Sequence, residues 1–110
     1  MIRRATIGPV TATAKTVGDA RAKCEAELIA GYNGWNAIIR ADAEIRVIDG
    51  WIAVVLPSAD TDGKLCSSSY ILTPDGMKRA RSSCSRKPID EIDRVVEHMR
   101  AIMADESVQA

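Results

Sequence analysis

The chain contains no phenylalanine and little aromatic surface of any kind: two Trp and two Tyr in 110 residues. Stacking of bases or sugar rings needs aromatic faces, and this composition is poor material for it. Charge imbalance is absent as well, because 15 basic and 15 acidic residues leave a formal net charge of zero. Whole-molecule attraction for nucleic acid or an anionic membrane is thereby excluded, and any such affinity needs a local patch. Histidine occurs once, as His98, and the three cysteines, Cys24, Cys66 and Cys84, form no CxxC pair. An odd number of scattered thiols is no disulfide framework, and with one imidazole it builds no zinc tetrad. The expectation is a cytoplasmic protein without metal or cofactor. No glycine-rich phosphate loop opens a helix. No apolar run of signal-peptide or membrane-spanning length follows Met1-Ile-Arg-Arg, so no membrane partner is expected.

What the chain does contain is a strong hairpin signal. Asp49-Gly50 separates two β-patterned runs, and Gly after Asp permits the positive φ angles of a two-residue type I′ turn. Before the turn, Ala37, Ile39, Ala41, Ala43, Ile45 and Val47 alternate with Arg40, Asp42, Glu44 and Arg46. After it, Ile52, Val54 and Leu56 continue the dry face. Period-two alternation of this length is a half-buried strand. A two-residue loop then sets Ile48 opposite Trp51, Val47 opposite Ile52, Ile45 opposite Val54 and Ala43 opposite Leu56. A slip of one residue would turn the apolar set into water.

The remaining elements are read around that hairpin. Thr16-Val-Gly-Asp19 has the form of a capping box, and Val17, Ala20, Cys24, Leu28 and Gly31 follow at helical spacing. Gly31 and Asn33-Gly34 mark the helix end and a turn. Pro57 is expected to end the second hairpin strand and Ser58–Gly63 to be a polar loop. Lys64 to Thr73 reads as a third strand in which Ile71 and Leu72 compete to face inward. Thr73-Pro-Asp-Gly76 is a turn, and Met77 to Lys87 is expected to be a helical turn followed by a loop. Pro88 opens a final helix with the stripe Ile89, Ile92, Val95, Val96, Met99, Ile102 and Met103, its first turn acidic at Asp90, Glu91 and Asp93. Residues 1–14 are either an extra edge strand or a loose arm, residues 15–105 form the single domain, and residues 106–110 fray. The expected fold is an α+β two-layer sandwich, α-β-β-β-α. It has an antiparallel three-stranded meander and both helices on its one dry face. Each Ile, Leu or Val so buried contributes roughly 1.5–3 kcal/mol.

Two surfaces stand out as candidate sites. On the wet face of the hairpin, Ile48, Trp51, Ala53 and Val55 have no cover from helices packed on the other side. A Trp beside an Ile at a hairpin tip is a hot-spot nucleus for a protein partner or a second copy of the chain. The second surface is the basic segment Lys78, Arg79, Arg81, Arg86 and Lys87. With Ser82, Ser83 and Ser85 it has the makings of a phosphate contact. The order helix–three strands–helix resembles, in topology alone, the double-stranded RNA-binding domain; no function is carried over from that likeness. Cys66 or Cys84 with His98 offers the elements of a thiolate–imidazole pair, without an orienting residue or oxyanion motif. Asp60-Thr-Asp-Gly63 is a turn rather than a calcium loop, since the closing ligands are missing. Asp42 and Glu44 share a strand face with Arg40 and Arg46 as a solvated ladder. The reading is a non-enzymatic protein-interaction module binding through the hairpin tip or an exposed sheet edge. A nucleic-acid-binding module using residues 78–87 is the alternative, and a cysteine enzyme the weakest one.

Overall fold

The computed structural model describes residues 1–31, 43–59 and 61–109. Along the chain run strands β1 (Arg3–Ile7) and β2 (Val10–Ala14), then helix α1 (Val17–Ala30). Strands β3 (Glu44–Ile48), β4 (Trp51–Ala59), β5 (Leu65–Leu72) and β6 (Lys78–Cys84) follow, and helix α2 (Pro88–Gln109) closes the order. All six strands join one antiparallel sheet in the order β2-β1-β4-β5-β6, and β3 pairs with β4. The α+β class is as expected; the strand count and the layering are not.

The hairpin has the expected register, with Ile48 opposite Trp51, Val47 opposite Ile52 and Ile45 opposite Val54. Asp49 at φ 51° and Gly50 at φ 85° supply the two left-handed residues a type I′ turn requires. The ladder begins at Glu44–Val55, so Ala43 precedes it, and the strand expected over residues 37–42 lies outside the described residues, as does Asn33-Gly34.

Pro57 does not end β4. Its carbonyl accepts the Gly8 N–H at 2.9 Å, so its imide nitrogen faces the same edge of the strand. There β4 changes partner, from β3 along residues 51–55 to β1 at Ser58 and Ala59. A missing donor costs nothing at that junction.

The principal correction concerns the layers. Ala5, Ile7, Val54, Leu56 and Tyr70 pack with Ala20, Cys24 and Leu28 of α1 on one face of the sheet. Ala53, Val55 and Ile71 pack with Ile92, Val95 and Met99 of α2 on the other. The helices therefore lie on opposite faces, and the sheet is the middle of three layers. Ile71 and Leu72 do not compete, because each is buried under its own side.

Residues 3–14 are neither a single edge strand nor a loose arm, for they form the β1–β2 hairpin and put Ala5 and Ile7 into the core. Among the described residues the order is thus ββ-α-ββββ-α, and the helix–three strands–helix likeness does not hold. Thr16 caps α1 as expected, its Oγ1 accepting the Asp19 N–H at 3.1 Å. Helix α2 runs to Gln109, beyond the Asp105 boundary where fraying was expected. Ile89, placed in its apolar stripe by spacing, is 58% exposed. No helix among the described residues is long and apolar enough to cross a membrane.

Candidate binding surface at the sheet edge

The four residues expected to meet a partner lie under α2. Ala53 and Val55 are fully buried, and Ile48 and Trp51 are half-buried against the same cluster. The face that lacked a cover from sequence is covered by the chain's own last helix. At the hairpin tip the exposed apolar residue is Val47, on the opposite face.

Of the basic segment, expected to be a helical turn and a loop, Lys78–Cys84 is a strand, and Arg86 and Lys87 follow its end. Thr73 N–H donates to the Met77 carbonyl at 3.0 Å and Gly76 N–H to the Thr73 carbonyl at 2.9 Å, which reverses the chain. The ladder with β5 then runs from Leu72–Lys78 to Ser67–Cys84. A register shift lies where Leu72 pairs with Lys78 but Ile71 with Ala80, leaving Arg79 as the extra residue of a bulge. Strand β6 ends the sheet, so its outer edge carries no strand partner among the described residues.

Ion pairs tie β6 to both covering layers. Arg79 Nε meets Glu106 Oε1 of α2 at 2.7 Å, and Arg81 Nε bonds Glu25 Oε1 of α1. Lys78, Arg86 and Lys87 are exposed and make no ion pair among the described residues. Met77 and Ile89, both largely exposed, stand just before and just after the basic stretch.

A cleft adjoins β6 on each side. Toward α2, a space of about 370 Å³ is lined by Ser82, Cys84, Glu91, Arg94 and His98. Cys84 and His98 thus line the same cleft, yet no hydrogen bond joins them among the described residues. Cys84 Sγ instead accepts the Arg86 N–H at 3.4 Å and lies 3.2 Å from Ser67 Oγ. Toward α1, a cleft of about 220 Å³ is lined by Arg21, Lys64, Cys66, Ser83, Cys84 and Ser85. Here Arg21 donates to Ser68 Oγ at 2.9 Å, to Ser58 Oγ at 3.5 Å and to Cys66 Sγ at 3.4 Å. Sequence reasoning missed this cluster, in which Arg21 is separated by 37 to 47 residues from its three partners and no motif links them.

Cys24 is a core residue as expected; burial pushes its thiol up, and Sγ donates to the Ala5 carbonyl at 3.3 Å. Burial likewise pushes the Tyr70 phenol well above its usual range, with Glu25 adding to the effect. Among the described residues no three His, Cys, Asp or Glu side chains are placed to hold a metal ion. Compared with known proteins, the chain matches no family model, no curated protein and no solved structure, so the reading of this surface rests on its own geometry.

Proposed function

We propose that this chain is a protein-interaction module that receives an extended, acidic segment of another protein as an added strand along β6. The carrying observation is that the outer edge of β6 is unpartnered among the described residues while Lys78, Arg86 and Lys87 beside it have no carboxylate. An open edge offers backbone N–H and C=O groups to any strand, and flanking side chains select which one. Self-pairing of β6 about Arg81 would set that cation directly against its own copy, which opposes a homodimer in this register. An acidic strand meets the opposite field. Exposed Met77 and Ile89 give such a partner an apolar anchor near either end.

The nucleic-acid reading uses the same five cations, but Arg79 and Arg81 are already engaged by Glu106 and Glu25. That favours a protein ligand. The three free thiols support a cytoplasmic setting for it.

The test is titration with a synthetic peptide of alternating Glu and Val, read by fluorescence anisotropy and by amide exchange along β6. Saturable binding with new protection of β6 amides is expected, and Lys78→Glu with Arg86→Glu and Lys87→Glu abolishes it. Protection elsewhere than β6, or tighter salt-sensitive binding of a duplex oligonucleotide that displaces the peptide, overturns the reading.

A further inference from the structure

We infer that the cleft between α1 and the β5–β6 end of the sheet is a binding site for a tetrahedral oxoanion, a phosphoryl group carried by a small ligand. The inference does not depend on strand addition, since the site lies on the α1 face of the sheet and not along its outer edge.

Its centre is Arg21. The guanidinium is partly buried, and its partners are the Ser58 and Ser68 hydroxyls and the Cys66 sulfur, with no carboxylate among them. The acid one turn further along the same helix, Glu25, is occupied by Arg81. Among the described residues Arg21 has no ion pair. Of the two guanidinium groups on this face, that of Arg81 has a carboxylate partner and that of Arg21 has none among the described residues. A charge withdrawn from water in this way is costly until an anion joins it.

The three acceptors aim the donor. Ser58 Oγ lies 2.9 Å from Cys66 Sγ, and Ser68 Oγ donates to Ser58 Oγ at 3.4 Å, so the acceptors form one linked set. Ser58 and Ser68 are themselves buried, which holds the guanidinium in one orientation. A guanidinium has five N–H donors, and three are accounted for. The remaining two have no partner among the described residues, and the cleft that Arg21 lines is also lined by Ser83, Ser85 and Lys64. Donors converging from a helix, from β6 and from the turn after it suit an anion with oxygens in several directions. A space of about 220 Å³ also leaves room for whatever bears the phosphoryl group.

The experiment is a titration of the ¹⁵N-labelled protein with inorganic phosphate at constant ionic strength, with acetate and chloride in parallel. Saturable shifts of the Arg21 side-chain N–H and the Ser83–Ser85 amides are expected with phosphate alone. Arg21→Gln weakens binding about tenfold or more, the loss expected for charge-assisted bonds. Ser85→Ala weakens it severalfold with an unchanged thermal midpoint, and this rim variant decides the matter if Arg21→Gln does not fold. Equal response to acetate or chloride, no saturation, or undiminished binding in Ser85→Ala and a folded Arg21→Gln overturns the assignment.

Discussion

Arg81 on the outermost strand bonds Glu25 on the first helix, and the two ends of this pair sit in different environments. The Glu25 side chain is 11% exposed and the Arg81 side chain 41%. The cost of breaking the pair should depend on which partner is removed. Arg81→Ala strands a carboxylate in the interior and is expected to cost about 2 kcal/mol, between the values for exposed and buried pairs. Glu25→Ala leaves a guanidinium that water reaches, and costs less. Chemical denaturation of both variants and the double variant checks the order, with the double expected to recover part of the Arg81→Ala loss.

Two isoleucines one turn apart in α2 separate spacing from burial. Ile89 is 58% exposed and Ile92 1%. Ile92→Ala is expected to destabilise by about 2–5 kcal/mol, and Ile89→Ala by under about 0.5 kcal/mol. The same Ile89→Ala variant should weaken peptide capture at β6 while leaving the denaturation midpoint in place.

Tyr70 carries a hydroxyl with no hydrogen-bond partner among the described residues. Tyr70→Phe is therefore expected to be neutral or to stabilise by up to about 1 kcal/mol. The group also sets an alkaline limit. Its ordinary value is 10.0 and burial raises it, so the folded chain holds this proton more tightly than the unfolded one. That contribution is fully present below the ordinary value and lost as pH rises from there toward the folded-state value. Denaturation series between neutral pH and pH 11 should show a falling limb that is shallower in Tyr70→Phe; Cys24, raised above 9.0, leaves a residual slope.

The hairpin turn depends on Gly50. Its φ is +85°, and an added Cβ would come within 3.2 Å of Pro74. Gly50→Ala is expected to cost about 1–2 kcal/mol through left-handed strain and that contact. Asp49→Asn, which keeps a residue tolerant of positive φ, should be close to neutral by thermal melting.

Local pattern made the hairpin, its register and both helices legible. Ile45, Val47, Ile52 and Val54 differ sharply from Glu44 and Arg46, and that contrast has only one solution. The third layer was visible too, though in a different run. Trp51 to Leu56 is apolar at every position, which signals a strand dry on both faces. The charges of Arg40 to Arg46 suggested instead that one face was wet. Strand β6 was hidden because an edge strand with a single inward apolar residue, Ala80, has almost no alternation to detect. Its three cations, Lys78, Arg79 and Arg81, group in sequence with Arg86 and Lys87 but carry no strand signal. The setting of Arg21 was not recoverable at all, since only the sheet brings Ser58, Cys66 and Ser68 to one helix.

Among the described residues strands β1 and β4 meet through two residue pairs, Thr6–Ala59 and Ile7–Ser58, flanked by the Gly8–Pro57 backbone bond and by Arg4 bonded to Thr61 Oγ1. Across the sheet, β4 and β5 are zipped over eight. The seam between the amino-terminal hairpin and the rest is thus short, and α1 spans it by resting on residues from both sides. Cooperative opening should begin along that seam, releasing β1, β2 and α1 together while the strands under α2 stay closed. The molecule would then melt in two steps of unequal size, and native-state deuterium uptake would find the earlier one in its first thirty residues.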